Sequence, residues 1–289
     1  MVEQTYNTLD GLPPLRDIIA QANLKADKSL GQNFLLDLNL TDKIARAAGP
    51  FADHTVLEVG PGPGGLTRML LAHEASPLIA IEQDDRAVKA LAYLQAAHGT
   101  AFDLRAGDAL ALNISTLGDR PIKIVANLPY NIATPLLINW LVEIEQRHAN
   151  VTSMTLMFQK EVADRIAAQP GTKQWGRLSI LSQWLCETRR LFDLPPEAFT
   201  PPPKITSTIV QLTPRAQPLA AARSETLQKV VAQAFNQRRK MLRQSLKPLG
   251  GEALLEKGGI DPTRRAETLS IEEFCALANI LDETEPQNA

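Results

Sequence analysis

The stretch TVLEVGPGPGGLT, residues 55–67, joins an apolar run to a glycine-rich loop and then to a helical pattern. Such a short, nearly continuous apolar run is typical of a strand buried in a parallel sheet. Gly60, Gly62 and Gly65 satisfy the pattern G-x-G-x-x-G. Backbone N–H groups at the start of the following helix can face an anionic or polar ligand. The stretch therefore predicts a nucleotide-like ligand, although a tight turn that needs only small residues is the alternative.

The alternation of apolar runs and helical periodicity continues through the first two-thirds of the chain. Four more strands, each expected to be buried on both faces, are predicted at PLIAIEQ (77–83), FDLRAGDA (102–109), IKIVAN (122–127) and SMTLMFQ (153–159). This order predicts an α/β fold, with a mostly parallel Rossmann-like sheet covered by helices. RRLFDLP (189–195) and ITSTIVQLTP (205–214) predict two further strands with antiparallel pairing at the sheet edge.

The length of 289 residues with 44% hydrophobic content predicts two domains. From about residue 224 only helical periodicity remains. We therefore expect a catalytic domain over residues 1–214 and a small all-helical domain over 215–289. Residues 1–25 form an N-terminal extension, in which LRDIIAQANL (15–24) predicts a short packed helix.

The cysteine, histidine and hydropathy patterns bear on the cellular location of the protein and on whether it binds a metal. Cys186 and Cys275 lie far apart without metal-ligand spacing, and the four histidines form no paired-ligand pattern. No apolar run reaches membrane-spanning length, and the first residues do not follow the pattern of a secretory signal. We expect a cytoplasmic protein without a bound metal and without contact to a membrane.

Two acidic residues follow the second and third predicted strands. Glu82 lies about twenty residues beyond the glycine loop, where a carboxylate can accept hydrogen bonds from both ribose hydroxyls. Asp108 is placed to accept from an adenine amino group, and an exposed turn aspartate is the alternative. Because the carboxyl ends of parallel strands meet at one edge, these residues together predict an adenosine site.

NAD and S-adenosylmethionine (SAM) both contain an adenosine, and the residues after the fourth strand distinguish them. No Tyr-x-x-x-Lys pair for hydride chemistry occurs in the chain. The stretch NLPYN (127–131) instead suits an amine methyltransferase, which must hold a poorly nucleophilic nitrogen in line with a methyl group. SAM is therefore the predicted cofactor and S-adenosylhomocysteine its product.

The first four residues of NLPYN, 127–130, have predicted roles in holding an adenine. The Asn127 side-chain oxygen and the Leu128 or Pro129 carbonyl are acceptors for the amine hydrogens. Pro129 also stiffens the turn, and Tyr130 supplies a face on which a base stacks. The alternative is a proline turn with a tyrosine packed for bulk.

Six segments together resemble the small-subunit ribosomal RNA adenine dimethyltransferases, the kasugamycin-resistance methylase family. They are LGQNFL (30–35), EVGPGPGGLT (58–67), NLPYN, MFQKEVADR (157–165), WGRLS (175–179) and FTPPPKITST (199–208). The resemblance implies a seven-stranded SAM-dependent methyltransferase sheet followed by a small helical domain. It also implies a monomer that dimethylates N6 of two adjacent adenosines in the 3′-terminal hairpin loop of 16S rRNA. The implied partner is the immature small ribosomal subunit, late in its assembly.

The resemblance also assigns site residues. It places the SAM contacts on Asn33, Leu35, Gly60, Glu82, Asp108 and Asn127. Residues 127–130 would hold the target adenine, and Phe158 would stack on its other face unless it is a core phenylalanine. Without the resemblance, Gln32 and Asn33 are expected to cap a helix. Leu30 departs from the aromatic residue expected in many relatives.

The segment FNQRRKMLRQSLK (235–247) is the predicted RNA-binding region, despite a net charge of −2 and a pI near 6.1. No acidic residue occurs between Lys229 and Lys247. A helix over this segment would bury Phe235, Leu242, Leu246 and Leu249 along one stripe and expose the cations on another. The cations assigned to rRNA backbone contact are Arg239, Lys240, Arg243 and Lys247, with Arg177 and Lys204 extending the surface toward the active cleft. A solvated helix face is the alternative.

Two other functions stay open. One is the related large-subunit rRNA methylase class that confers macrolide resistance, which shares the glycine loop and an asparagine-proline-tyrosine turn. Leu128, the FTPPPK segment and the basic C-terminal segment favour the small-subunit family. The other is a ribosome-assembly factor that acts mainly by binding the immature subunit.

Overall fold

The computed structural model of the protein describes residues 12–26 and 31–284. Residues 1–11 of the predicted extension and the departure at Leu30 lie outside the described residues. The chain divides into two compact units, one of residues 1–163 and 189–213 and the other of residues 164–188 and 214–289.

The unit boundary near residue 214 lies where the strand pattern ends, as predicted. Residues 164–188 differ from the prediction, because they belong to the second unit and not to the predicted catalytic domain over residues 1–214. The Trp175 indole shows the reason, since it is buried and donates a 3.0 Å hydrogen bond to the Leu269 carbonyl. Sequence periodicity cannot show that a helical segment packs with elements about a hundred residues away.

The described residues contain nine β-strands. These are β1 (Phe34–Leu35), β2 (Thr55–Val59), β3 (Leu78–Glu82), β4 (Phe102–Ala106), β5 (Ile122–Ala126), β6 (Val151–Gln159), β7 (Cys186–Leu194), β8 (Phe199–Thr200) and β9 (Ser207–Pro214).

The same residues contain eleven α-helices. These are α1 (Leu15–Gln21), α2 (Leu38–Ala48), α3 (Gly65–Ala72), α4 (Asp85–His98), α5 (Tyr130–Glu145), α6 (Lys160–Ile166), α7 (Arg177–Leu185), α8 (Ser224–Asn236), α9 (Leu242–Ser245), α10 (Gly251–Lys257) and α11 (Ile271–Thr284). The packed helix predicted in the N-terminal extension is therefore confirmed as α1.

Seven strands form one sheet in the order β4-β3-β2-β5-β6-β9-β7. Strands β2 to β6 pair in parallel, and β9 pairs antiparallel with β6. The predicted seven-stranded, mostly parallel sheet is confirmed. The order also brings the carboxyl ends of β2, β3, β4 and β5 to one edge, where the glycine loop, Glu82, Asp108 and NLPYN follow their strands.

Burial follows position in the sheet. All five residues of β2, β3 and β5 are buried, because strands and helices cover both faces. In β4 only Phe102 is buried, and Arg105 and Ala106 are exposed. The prediction that this strand is buried on both faces is wrong because β4 lies at the sheet edge.

A two-stranded sheet that the sequence analysis did not predict lies beside the main sheet. Phe34 pairs with Thr200 and Leu35 with Phe199 in an antiparallel arrangement of β1 and β8. Two-residue strands are too short to show a period, so the alternation of residues contains no signal for them. The pairing joins the GQNFL and FTPPPK motifs, which are far apart in sequence.

The second unit has its own helical core. The buried residues there include Leu227, Val230, Leu242, Leu246, Leu255, Phe274 and Leu277. Phe235 packs on Phe274 with ring centroids 5.9 Å apart. No strand lies beyond Pro214 in the described part of the chain, as the periodicity predicts. Between residues 12 and 284, outside the gap at 27–30, no helix combines the length and apolar character that crossing a membrane requires.

Candidate active site

A cavity opens at the carboxyl ends of β2, β3, β4 and β5, with a volume of about 990 Å³ when the solvent at its mouth is included. Ten of the predicted catalytic and cofactor residues line it: Asn33, Leu35, Gly60, Gly62, Glu82, Asp108, Asn127, Leu128, Pro129 and Tyr130. The fold therefore brings these residues together, and their contacts with a ligand stay a prediction.

The glycine loop requires glycine for its own packing. Gly60 has φ +68°, and a Cβ there would lie 3.3 Å from the Pro129 ring. Gly62 has φ +55°, and its Cβ would lie 3.2 Å from the Phe34 ring. A side chain at either position would be strained and would crowd a residue that lines the cavity. The small residues thus allow β1 and the NLPYN turn to approach the loop closely.

Hydrogen bonds to the Glu82 carboxylate connect the glycine loop to the end of β3. Its Oε2 accepts a 3.0 Å hydrogen bond from the Gly62 N–H, and its Oε1 accepts from the N–H groups of Gln83 and Asp84, both at 2.9 Å. Burial raises the pKa of the Glu82 carboxyl, and these backbone bonds oppose the rise. They occupy three of roughly four acceptor positions on a carboxylate, so one remains for a ligand.

Glu58, in the stretch TVLEVGPGPGGLT, lines the same cavity but was not predicted as a site residue. Its side chain is 1% exposed, and no described residue donates a hydrogen bond to its Oε2. Burial raises the pKa of Glu58 to about 8, and the nearby Glu82 carboxyl adds to the rise. The signal available in the sequence was an acidic residue inside an otherwise apolar strand.

Asp108 is exposed at the cavity and caps the short turn that follows β4. Its Oδ1 accepts a 2.9 Å hydrogen bond from the Leu110 N–H. Asp108 is therefore a turn aspartate, as the alternative interpretation predicts. Its other oxygen, Oδ2, is the one available to accept a hydrogen bond from an adenine.

The NLPYN turn leaves two acceptors for a ligand. The Asn127 Nδ2 donates to the Asn33 carbonyl at 3.5 Å, while no described residue donates to the Asn127 Oδ1. The Pro129 carbonyl accepts the N–H groups of Ile132 and Ala133, both at 3.1 Å, because Pro129 is the N-cap of α5. Of the two carbonyls considered from the sequence, the structure thus favours Leu128, which accepts no hydrogen bond from a described residue.

The Tyr130 ring is half-buried beside these acceptors. Its hydroxyl forms a 2.6 Å hydrogen bond with the Ser207 hydroxyl. Burial raises the pKa of the Tyr130 hydroxyl, and the bond to Ser207 partly opposes this.

Residues 31–35 cross one side of the cavity. The Gln32 Nε2 donates a 3.1 Å hydrogen bond to Asp84, which also pairs with Arg86. The Arg86 guanidinium is the main cause that lowers the pKa of Asp84 to about 2. The helix-cap alternative for Gln32 and Asn33 is wrong, because the N-cap of α2 is Asp37. Asp84 was not predicted as a site residue, although an aspartate directly before a helical pattern is the sequence signal of an N-cap, and Asp84 caps α4.

Phe158 is not among the residues that line the cavity. It lies in β6 opposite Thr208, with 1% of its surface exposed. The structure therefore places it in the core, and the neighbouring Met157 lines the cavity instead.

The predicted RNA-binding cations are all exposed. Lys204 lies in the first unit, and Arg177, Arg239, Lys240, Arg243 and Lys247 lie in the second. No described acidic side chain forms an ion pair with any of these six residues.

The single amphipathic helix predicted over residues 235–247 is wrong. Helix α8 ends at Asn236 and α9 begins at Leu242. The chain leaves the helical path because the Leu242 N–H donates to the Arg264 carbonyl at 2.7 Å. Leu242 and Leu246 are still buried while the cations face solvent, as the stripe predicts, but Phe235 and Leu249 are only half-buried.

Comparisons with known proteins find similar chains. A family model described as "Ribosomal RNA adenine dimethylase" matches residues 23–283. A Rhodospirillum rubrum protein named "Ribosomal RNA small subunit methyltransferase A" is 58% identical over 275 residues, covering 94% of each chain. A Rhizobium johnstonii protein of the same name is 60% identical over 274 residues, covering 94% of this chain and 99% of its own.

Two solved structures are similar over most of the chain. A dimethyladenosine transferase from Plasmodium falciparum has a TM-score of 0.72 at 24% identity, covers 83% of this chain and 94% of its own, and shows the shared fold. The 23S rRNA methyltransferase ErmE has a TM-score of 0.66 at 27% identity, covering 86% of this chain and 100% of its own.

Proposed function

Because this chain belongs to the ribosomal RNA adenine dimethylase family, we propose that it dimethylates the N6 atoms of two adjacent adenosines in the 3′-terminal hairpin loop of 16S rRNA. The proposed substrate is the immature small ribosomal subunit late in its assembly. We propose further that the protein acts as a monomer in the cytoplasm.

The small subunit is favoured over the large subunit by the relatives. Two proteins named for small-subunit methylation are 58% and 60% identical to this chain, whereas ErmE, named for 23S rRNA, is 27% identical. The difference supports the small-subunit substrate over the macrolide-resistance class.

SAM supplies an electrophilic methyl group on a sulfonium when it is bound. The cavity suits this cofactor because it holds unsatisfied anionic and acceptor atoms for a cationic adenosine derivative. Glu82 and Asp108 each retain acceptor capacity for the ribose and the adenine. Glu58 lines the same cavity, and burial keeps its carboxyl protonated at neutral pH, so it offers the ligand a neutral hydrogen-bonding group.

The observation that carries the proposal is the pair of unsatisfied acceptors beside an aromatic ring. The Asn127 Oδ1 and the Leu128 carbonyl receive no hydrogen bond from a described residue, and the Tyr130 ring lines the same cavity. An exocyclic adenine nitrogen presents two hydrogens to such acceptors. The bonds draw the nitrogen toward a tetrahedral geometry with its lone pair available for attack, and the ring holds the base by stacking.

Substitution of Asn127 tests this assignment. Asn127→Ala should lower the rate of methyl transfer to unmethylated small subunits roughly 100-fold, the order of magnitude seen when one positioned polar group is removed. Binding to the same subunits should stay within about twofold, because the predicted phosphate contacts lie elsewhere on the chain. Asn150→Ala, at an exposed position before the amino end of β6, is the matched control.

Transfer by Asn127→Ala at the rate of the unaltered protein would contradict the assigned role. Tight subunit binding by a variant that transfers no methyl group would show that binding is independent of catalysis, as the assembly-factor hypothesis requires.

A further inference from the structure

We propose that Ser207 is a positioning residue that holds the Tyr130 ring in the orientation needed to stack on the target base. The proposal rests on the proposed function, because Tyr130 needs a fixed face only if a base is presented to it. It gives a role to the serine of the FTPPPKITST motif, which the resemblance leaves without one.

The contact joins two otherwise separate parts of the site. Tyr130 is the first residue of α5 and follows β5, whereas Ser207 is the first residue of β9. Strand β6 lies between β5 and β9 in the sheet. The 2.6 Å bond between the two hydroxyls therefore joins the turn after β5 to β9, although β6 separates these two strands in the sheet.

Ser207 is held more firmly than the ring that it contacts. Its residue is fully buried, and β9 pairs it with Gln159 of β6 in a regular antiparallel register. A hydroxyl on a buried strand has few alternative positions. Tyr130 is only half-buried at the start of a helix, and its side chain turns about two torsions. The bond fixes the hydroxyl at the far end of the ring and thereby limits rotation about χ1. It also disfavours rotation about χ2, because a phenol forms hydrogen bonds close to the plane of its ring.

The bond is unnecessary for stacking as such, because the face of a phenylalanine ring would also accept a base. It affects where the face lies relative to the Asn127 and Leu128 acceptors. A ring that samples several orientations would leave the amine out of line for part of the time, which slows transfer without weakening the binding of SAM.

The test compares Ser207→Ala, Tyr130→Phe and the double variant with the unaltered protein. Each single change removes one hydroxyl and keeps the ring. We expect each to lower the single-turnover rate of methyl transfer roughly tenfold, with SAM affinity within about twofold. The double variant should be no slower than either single variant, because both remove the same bond.

Two further variants separate positioning from a general structural effect. Ser207→Thr keeps a hydroxyl at this position and should retain most of the rate that Ser207→Ala loses. Thr155→Val removes another buried hydroxyl, on β6, whose Oγ1 has no hydrogen-bond partner among the described residues, and it should transfer at the unaltered rate. Thermal unfolding of every variant checks that each one folds.

Three results would overturn the proposal. The first is a Ser207→Ala rate equal to that of the unaltered protein. The second is a double variant slowed by the product of the two single effects. The third is an equal loss in Thr155→Val, which would show that removing any buried hydroxyl from the sheet slows transfer.

A measurement without RNA distinguishes failure of this proposal from failure of the proposed function. The chain contains three tyrosines, so NMR of ring-labelled tyrosine gives few signals, and Tyr130→Phe assigns one of them. Ser207→Ala should shift the Tyr130 ring signal and speed its ring rotation. An unchanged signal would overturn the proposed positioning by Ser207 even if methylation is confirmed. If the signal changes but the protein methylates no small subunits, only the proposed function is contradicted.

Discussion

Glu58 shows how burial at one residue affects the whole stability of the protein. Its carboxyl lies in the central strand β2, and burial raises its pKa from 4.5 to about 8. Between these two values the folded protein keeps a proton on Glu58 that the unfolded chain has released. The unfolded state then binds fewer protons, so the free energy of unfolding decreases as the pH rises through this window.

Glu58→Gln should remove this pH dependence. The amide stays neutral at every pH. The free energy of unfolding of the variant, relative to that of the unaltered protein, should therefore rise by up to about 1.4 kcal/mol for each pH unit between 4.5 and 8 and level off above 8. Urea unfolding of both proteins from pH 5 to pH 9 measures the difference. Glu252→Gln, at an exposed position in α10, gives the baseline for losing a surface carboxylate. A constant offset between Glu58→Gln and the unaltered protein over this range would contradict the account.

At single positions, the sequence predicts residue types but not their hydrogen-bond partners. The positions of Glu82, Asp108 and Asn127 at strand ends could be inferred because chemistry and spacing both point to a ligand. The Ser207 contact with Tyr130 could not, because 77 residues separate the two and a serine in a strand has no distinctive pattern. Phe158 shows the opposite case, where a residue taken from a motif lies in the core.

Among the elements, regular periodicity predicts strands and helices well, and neighbouring packing decides their ends. Strands β2, β3 and β5 were predicted because continuous burial leaves a clear apolar run. The break between α8 and α9 was not, because its cause is a hydrogen bond from Leu242 to Arg264. The break changes the geometry of the basic segment but keeps its cations exposed.

The basic segment should bind phosphate through its unpaired cations. Arg239→Glu and Lys240→Glu should each weaken binding to small subunits. Each should also reduce the slope of log affinity against log salt concentration by about one, since one phosphate contact is lost. Lys257→Glu makes the same charge change at an exposed position of α10 in the same unit, and filter binding at several salt concentrations compares the three. Equal effects of all three changes would show that net charge, and not this segment, determines binding.

At the scale of the whole molecule, the net charge and the pI do not reveal the local cluster of cations that is predicted to bind RNA. The net charge of −2 and the pI of about 6.1 give no sign of a nucleic-acid partner. The five predicted RNA-binding cations of the second unit are nevertheless exposed, and none of them forms an ion pair with a described acidic side chain. The division into two units was also only partly visible, because residues 164–188 join the second unit through packing that no local pattern records.

The most direct test of the central claim is transfer of labelled methyl from SAM to small ribosomal subunits that lack the dimethyladenosines, with large subunits in parallel. Mass mapping of the product then locates the label. The account predicts N6,N6-dimethyladenosine at two adjacent positions in the 3′-terminal hairpin loop of 16S rRNA and no label in large subunits. Label in 23S rRNA, or small subunits that bind the protein tightly and remain unlabelled, would contradict it.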